Sequence, residues 1–173
     1  MIWILIAIIV GSVGLDQLTK WLTVRNLELY ESFPLWEDVL HFTYVQNEGM
    51  AFGMMDDSRW VFMTFSSVAI VALSIYLFRF RPTSKWMQVS IAMIIGGGIG
   101  NMIDRIFLGY VIDFIDFTLI NFAVFNVADS FVCVGAGMLM FYLVMDIIKD
   151  AKKEKAKKPD ASQTEQTDED RVE

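Results

Sequence analysis

The stretch 94-IIGGGIGNMIDRIF-107 decides the fold, because it is as apolar as a membrane helix and yet ends in charge. Up to residue 103 it holds only apolar residues and glycine apart from Asn101, and Asp104 and Arg105 follow before the apolar pattern ends. Polar and ionisable groups within a membrane segment are costly and mark functional sites. The stretch therefore predicts a membrane helix with a functional site at one edge of the bilayer.

The whole chain has the composition of an integral membrane protein. Of its 173 residues, 55% are hydrophobic, and the mean hydropathy is +0.46, which is rare for a soluble domain. A transmembrane helix needs roughly 20 largely apolar residues, and four runs come close to that length. These runs are 1–24, 60–78, 86–103 and 130–145. The fold class that we predict is therefore a membrane all-α fold, a bundle of four transmembrane helices.

Basic residues orient the predicted helices. The connector 79-RFRPTSK-85 holds three basic residues and 149–158 holds six lysines, whereas 25–58 holds one basic and seven acidic residues. Because basic loops stay in the cytoplasm, both termini are predicted to be cytoplasmic, and the loops at about 25–58 and 106–121 extracytoplasmic. Residues 151–173 are charged and lack aromatic side chains, which predicts a disordered cytoplasmic tail after a membrane domain of residues 1–150.

Two extracytoplasmic stretches have strand character. The run 39-VLHFTYV-45 is rich in β-branched and aromatic residues, and a turn signal at 47–49 separates it from a second short run. The stretch 107-FLGYVIDFIDF-117 has the same character. A small β-strand region above the outer leaflet is predicted, with an irregular loop as the alternative.

The glycines of the opening stretch predict close helix packing. Gly96 and Gly100 are spaced i,i+4, which gives one helix face a row of small residues against which another helix can pack. The glycine run matches neither G-x-G-x-x-G nor G-x-x-x-x-G-K-[ST], so it does not predict a nucleotide-binding loop.

The ionisable residues of three predicted helices lie at one depth. Counted from the predicted inner edge of each helix at 1.5 Å per residue, Asp16, Asp104 and Asp129 lie about 22, 28 and 30 Å up. The hydrocarbon core is about 30 Å thick. All three carboxylates are therefore predicted at the outer boundary of the membrane.

The residues available for chemistry are few. The chain has one histidine, His41, and one cysteine, Cys133, which is too few for a zinc site of histidine and cysteine ligands. His41 falls in a predicted loop and Cys133 in the middle of a span, so neither a Ser-His-Asp nor a Cys-His arrangement is predicted. The remaining groups are carboxylates, amides, Lys20 and Arg105.

Carboxylates alone can catalyse hydrolysis. Two carboxyl groups that share one proton can activate water, because one acts as the base and the other as the acid. The adjacent Arg105 favours an ion-pair or substrate-anchoring role for Asp104, and Asp16 has Lys20 at i+4, the spacing of a helix salt bridge. These observations leave Asp113, Asp116 and Asp129 as candidates for the pair, and Asn126, at i,i+3 from Asp129, could orient its carboxylate. A small carboxylate-based proton or ion translocator is the alternative, although it would distribute its acids through the depth of the bilayer.

Five motifs, taken in order, resemble those of the lipoprotein signal peptidase (signal peptidase II) family. The family motifs are D-Q-x-[ST]-K, N-x-G-x-A-[FW], G-[GA]-x-G-N-x-x-D-R, V-x-D-F and F-N-x-A-D. The matching stretches are 16-DQLTK-20, 47-NEGMAFG-53, 97-GGIGNMIDR-105, 111-VIDF-114 and 125-FNVAD-129. Together with four spans, the resemblance covers about residues 1 to 148.

The resemblance implies a membrane aspartyl endopeptidase. Members of the family remove the signal peptide from bacterial prolipoproteins by cleaving before a cysteine that carries a diacylglyceryl group, and they need no metal or other cofactor. The resemblance implies the catalytic dyad Asp113 and Asp129. Side-chain alternation along a strand agrees with the choice of Asp113 over Asp116, since the two would point to opposite faces.

The resemblance also implies a substrate pocket, its support and its partners. Residues implied to line the pocket are Asn47, Gly97, Asn101, Asp104, Arg105 and Asn126. Asp16 and Lys20 are implied to support it. The expected partners are prolipoproteins bearing the diacylglyceryl cysteine and membrane lipids, without nucleic acid. We expect a monomer in the bacterial cell (inner) membrane, with the active site near the outer leaflet.

Overall fold

The computed structural model describes residues 1–49 and 58–157. Within these ranges, four helices are long and apolar enough to cross a membrane, which confirms the four predicted spans. They are α1 (Ile2–Asn26), α2 (Ser58–Ile75), α3 (Lys85–Phe107) and α4 (Val127–Lys157).

Short signals in the sequence set the turn between α2 and α3. One π-helical stretch, Tyr76–Phe80, continues α2, and Arg81 ends it in the left-handed conformation with a φ of 51°. Pro82 follows and cannot continue a helix. Helix α3 then begins after Ser84, whose side chain accepts a hydrogen bond from the Met87 amide at 3.4 Å, as an N-cap serine does.

The chain divides into two compact units, Met1–Leu139 and Met140–Glu173, and the domain boundary at residue 150 stays a prediction. The second unit contains the end of α4, where Lys153 and Asp150 form an exposed salt bridge at 3.4 Å. Because α4 continues to Lys157, the first seven residues of the predicted disordered tail are helical. The rest of that tail lies outside the described residues.

Helix α3 is the most buried helix of the first unit. Half of its membrane span is buried within the protein, against 17% for α1. The glycines of α3 explain this packing, because a Cβ atom at Gly96 would lie 2.7 Å from the Ser12 Cβ atom of α1, and one at Gly97 would collide with the backbone carbonyl of Ala128 in α4. A Cβ atom at Gly100 would lie 2.6 Å from an Asp16 carboxylate oxygen. The predicted role of Gly96 and Gly100 in close helix packing is confirmed.

A three-stranded antiparallel sheet completes the first unit. Its order is β1 (Ser32–Trp36), β2 (Leu40–Asn47) and β3 (Val111–Asp116). The two predicted stretches of strand character correspond to β2 and β3, which confirms the predicted β-strand region. Strand β1 was not predicted, and the second short run after the 47–49 turn lies outside the described residues.

The register of the sheet brings the end of β2 beside the start of β3. Asn47 pairs with Val111, and Val45 pairs with Asp113. This pairing places the side chains of Asn47 and Asp113 close enough to form a hydrogen bond. The apolar core lies elsewhere, between Leu5 of α1, Leu77 and residues 91–95 of α3.

Candidate active site

The first turn of α4 fixes Asp129. Asn126 lies directly before the helix in the N-cap position, and its side-chain Oδ1 accepts a hydrogen bond from the Asp129 amide at 2.9 Å. In return, Asp129 Oδ2 accepts one from the Asn126 amide at 3.3 Å. This reciprocal arrangement is a capping box, which satisfies two amides at the helix start. An acidic residue in the first turn also interacts favourably with the helix dipole.

Strand β3 presents Asp113, which is 2% exposed, to the same region. Asn126 donates from Nδ2 to Asp113 Oδ1 at 2.6 Å, and Asn47 of β2 donates to Asp113 Oδ2 at 2.9 Å. The carboxyl group of Asp113 is therefore held on both oxygens by side-chain amides from two different elements.

Asn101 of α3 joins the two aspartates. Its Nδ2 donates to Asp129 Oδ1 at 2.7 Å, and its Oδ1 accepts from Asn126 Nδ2 at 3.0 Å. A continuous chain of hydrogen bonds thus runs from Asp113 through Asn126 and Asn101 to Asp129. The Asn126 side chain, which was predicted to orient the Asp129 carboxylate, instead binds the Asp129 backbone amide through Oδ1 and Asp113 through its NH2 group.

The environment of Asp113 favours its protonated form. Burial raises the pKa of its carboxyl group from 3.8 to about 6, and the nearby charge of Asp129 also raises this pKa, while the hydrogen bonds from Asn47 and Asn126 lower it. Loss of water disfavours a charged carboxylate, and a neighbouring negative charge adds to that effect. This combination suits a carboxyl group that keeps a proton beside an ionised partner.

Asp116 is held by a different set of contacts. Its Oδ2 accepts a hydrogen bond from the Thr43 hydroxyl at 2.7 Å, whereas Asp113 contacts Asn47 and Asn126. Odd spacing along a strand places the two side chains on opposite faces. The structure therefore brings Asp113, and not Asp116, into the hydrogen-bond chain with Asp129.

A buried ion cluster lies next to this chain. Lys20 of α1, which is 1% exposed, has its Nζ atom 2.9 Å from a carboxylate oxygen of Asp16 and 2.9 Å from one of Asp104. It also donates to Asn101 Oδ1 at 2.8 Å. The predicted helix salt bridge between Asp16 and Lys20 is confirmed, and Lys20 extends it to α3.

The two carboxylates of the cluster each hold a backbone amide beside a dyad candidate. Asp16 Oδ1 accepts from the amide of Ala128, the residue before Asp129, at 2.9 Å. Asp104 Oδ2 accepts from the amide of Ile112, the residue before Asp113, at 3.0 Å. Lys20 therefore connects, through two carboxylates, the backbone segments that carry Asp113 and Asp129.

Asp104 and Arg105 have different roles in the geometry. Asp104 is 2% exposed, and its carboxylate forms an ion pair with Lys20 across α1 and α3. Lys20 therefore supplies the ion-pair partner of Asp104, and the place of Asp104 in the pocket lining stays a prediction. Arg105 is half-buried and close enough to interact electrostatically with Asp129, Asp113 and Asp104.

Gly97 and Gln17 complete the support. Gly97 is the point where α3 meets the α4 backbone at Ala128, and its place in the pocket lining stays a prediction. Gln17 stands in the first motif and had no predicted role. Its Nε2 donates to Asp104 Oδ1 at 2.9 Å and to the Gly100 carbonyl at 3.2 Å.

Metal ligands do not converge in this region. Across residues 1–49 and 58–157, no three or more histidine, cysteine, aspartate and glutamate side chains are grouped so that they could hold a metal ion. Among the described residues, the groups at the site that can take part in acid–base chemistry are the carboxyls of Asp113 and Asp129, the amides around them and the guanidinium of Arg105.

A family model described as signal peptidase (SPase) II matches residues 7–145. Curated relatives named lipoprotein signal peptidase are similar over nearly their whole length. The relative from Halalkalibacterium halodurans is 42% identical over 158 residues, which cover 90% of this chain and 99% of the relative. The relative from Brevibacillus brevis is 41% identical, and the match covers 82% of this chain and 92% of the relative. The relative from Halothermothrix orenii is 43% identical, and the match covers 83% of this chain and 94% of the relative.

Solved structures share the fold. Two, each described as a bacterial membrane enzyme structure obtained by the in meso method, superpose on this chain with TM-scores of 0.78 and 0.79. Both are 30% identical to it. The first covers 85% of this chain and 91% of its own length, and the second covers 84% and 96%.

Proposed function

This chain belongs to the signal peptidase II family, and we propose that it is an aspartyl endopeptidase that removes signal peptides from diacylglyceryl-modified prolipoproteins. Family membership implies a membrane protease that processes prolipoproteins. The aspartyl mechanism rests on one observation, the hydrogen-bond chain that joins Asp113 and Asp129 through Asn126 and Asn101. It supplies two carboxyl groups in different environments, as acid–base hydrolysis of a peptide requires.

The proton is assigned to Asp113 in the resting enzyme. Burial raises the pKa of its carboxyl group to about 6, which suits it to hold the proton that the pair shares. Asp129, which accepts hydrogen bonds from Asn101 and from the Asn126 amide, is the ionised base. The proton belongs to the pair as a coupled unit, and measured pKa values will describe that unit.

The reaction then follows from these two roles. Asp129 takes a proton from a water molecule, whose oxygen attacks the carbonyl carbon of the bond before the lipidated cysteine, and Asp113 gives its proton to the carbonyl oxygen. In the second step the tetrahedral intermediate returns one proton to Asp113, the C–N bond breaks, and the cysteine nitrogen leaves with the proton held by Asp129. Water is consumed, its hydroxyl group enters the new carboxyl group and its hydrogen goes to the amine.

Asn47 and Arg105 are the proposed substrate contacts. Asn126 uses its NH2 group for Asp113 and Asn101, so it has little capacity left to stabilise a developing oxyanion. Asn47 is exposed beside Asp113, and Arg105 provides a cation near both aspartates. These two side chains can donate to the substrate carbonyl or to its flanking peptide groups.

The proposed site lies where a lipid-anchored cysteine would present its peptide bond. Asp16, Asp104 and Asp129 lie on three of the four membrane helices, near the ends that adjoin the sheet. With basic loops in the cytoplasm, these ends face the outer leaflet and both termini are cytoplasmic, in the cell membrane of a bacterium. The diacylglyceryl group would then remain in the outer leaflet while the peptide enters the site.

The experiment is cleavage of a diacylglyceryl-modified prolipoprotein by the purified full chain, followed as a mobility shift on a gel. We expect cleavage by the wild-type protein with or without a chelator and its loss in both Asp113→Asn and Asp129→Asn. Asp116→Asn is the matched control, because it changes an aspartate of the same strand that contacts Thr43. Equal loss in Asp116→Asn would overturn the choice of dyad. A folded wild-type protein that left the substrate intact would overturn the function, and the carboxylates would then be tested as an ion site.

A further inference from the structure

A cavity lies between the start of α1, the end of the π-helical stretch and the start of α3, at the ends of these helices opposite the dyad. Its volume is about 310 Å³, and it is bounded by three elements of the first unit. The lining residues that matter here are Ile2, Leu5, Leu77, Phe78, Arg81 and Gln88. Leu5 and Leu77 are 4% and 2% exposed, so the inner wall is apolar, while Arg81 and Gln88 add polar groups. The cavity is thus amphipathic.

The segments that line this cavity carry charged side chains of one sign. The connector beside it contains Arg79, Arg81 and Lys85, and the sequence has no acidic residue in 1–15 or in 60–103. In the part of the chain that the structure describes, none of these three cations forms a salt bridge. An anionic ligand would therefore find positive charge here without competing carboxylates from these segments.

The backbone places Arg81 at the cavity. The π-helical stretch ends with a hydrogen bond from the Arg81 amide to the Tyr76 carbonyl at 3.2 Å, and Arg81 has a φ of 51°. A left-handed conformation is unfavourable for a residue with a side chain, and π-helical turns are often found at functional sites. Among the described residues, the Arg81 guanidinium makes one hydrogen bond, from Nε to the Phe78 carbonyl at 3.4 Å. Its two NH2 groups are available to bind a ligand.

We propose that this cavity binds one anionic phospholipid of the leaflet opposite the dyad. Arg81 binds the phosphate group, as a guanidinium does through paired N–H donors, and the first part of an acyl chain lies against Leu5 and Leu77. A membrane lipid fits both halves of the cavity, because it joins an anionic headgroup to an apolar chain. A free phosphate would use only the polar half. The site is separate from the proposed peptidase site and does not depend on it.

Native mass spectrometry of the full chain in detergent tests the proposal. The probes are phosphatidylglycerol, phosphatidylcholine with the same acyl chains, and soluble glycerophosphoglycerol, the headgroup without chains. We expect the wild-type protein to bind one phosphatidylglycerol at least tenfold more tightly than phosphatidylcholine, and to bind the soluble headgroup much more weakly. Arg81→Gln should abolish this preference, whereas Arg79→Gln, which removes the same charge from the same connector outside the cavity, should change it by less than twofold.

A second variant addresses the cavity itself. Ile2→Trp places a larger side chain at a lining position that is 42% exposed. It should fill the cavity and weaken binding of phosphatidylglycerol. The thermal unfolding midpoint should stay near that of the wild type. Equal loss in Arg79→Gln would show diffuse electrostatic attraction instead of a site and would overturn the proposal. Equal binding of the two lipids, or binding of the soluble headgroup as tight as that of the lipid, would also overturn it.

Discussion

Substitution of Lys20 by methionine removes the one cation that bridges two buried carboxylates. The Nζ atom lies 2.9 Å from Asp16 and 2.9 Å from Asp104, and these residues are 0% and 2% exposed. Removing one partner of a buried ion pair leaves an uncompensated charge and costs about 3–5 kcal/mol. Methionine keeps a long apolar side chain, so most of the loss is electrostatic. We therefore expect the free energy of unfolding to fall by about this amount.

The same substitution should lower the catalytic rate of the remaining folded enzyme. Without the ammonium group, Asp16 and Asp104 repel each other or take up a proton, and their hydrogen bonds to the amides of Ala128 and Ile112 weaken. These amides directly precede Asp129 and Asp113. A misplacement of about 1 Å in a catalytic group can cost on the order of 100-fold in rate, so we expect a fall in kcat of that order.

Unfolding in mixed micelles with increasing denaturing detergent measures the stability, and single-turnover cleavage at low temperature measures the rate. Lys153→Met is the matched control, because Lys153 forms an exposed salt bridge with Asp150 at 3.4 Å and such pairs contribute at most about 1 kcal/mol. If Lys20→Met cost no more stability than Lys153→Met, the buried cluster would not stabilise the fold. If its kcat equalled that of the wild type, Lys20 would not position the dyad.

Two other predictions concern proton sharing and helix packing. Burial raises the pKa of Asp113 to about 6, and the proposed dyad works with one shared proton, so kcat/KM should fall as the pH rises through about 6. Asn47→Leu removes a hydrogen bond that lowers this pKa and should move the basic limb of the pH profile up by about half to one pH unit. Thr43→Val, which removes the hydrogen bond to Asp116, is the control and should leave the pH profile unchanged. A shift of the basic limb to lower pH in Asn47→Leu would contradict the reasoning. Gly97→Ala should unfold or inactivate the protein, because its Cβ atom would collide with the α4 backbone. Gly11→Ala is the control and should be neutral in thermal unfolding and cleavage, because nothing lies within 4 Å of its Cβ position. Similar behaviour of the two variants would refute the packing argument.

The membrane helices were predictable because their signal is local. A run of about 20 apolar residues has few alternatives to a membrane span, and charges such as Arg59, Arg79 and Lys85 mark where the runs end. Strand β2 was predictable for a similar reason, since 39-VLHFTYV-45 is rich in strand-forming residues. Strand β1 was not, because Ser32–Trp36 contains Pro34 and is exposed throughout. Its pairing with β2 decides its structure, and pairing is not a local property.

The acidic residues show what the sequence leaves open. Residue types and depth indicated that Asp16, Asp104 and Asp129 lie at one level, but they did not choose the catalytic pair or give Asp104 its partner. Adjacent positions suggested Arg105, whereas the partner is Lys20, 84 positions away in the chain. Long-range contacts of this kind depend on the packing of α1 against α3, for which the small residues Gly96 and Gly100 were the visible signal.

The buried charges explain why the site can tolerate a carboxyl group that holds a proton. Lys20 neutralises part of the charge of Asp16 and Asp104, and these carboxylates use their remaining oxygen sites on backbone amides and on Gln17. In the described part of the chain, Asp113 has neutral side-chain amides as its direct hydrogen-bond partners, and burial raises its pKa to about 6. The position of Lys20 therefore separates two ion-paired carboxylates from the amide-bound one that we propose exchanges a proton.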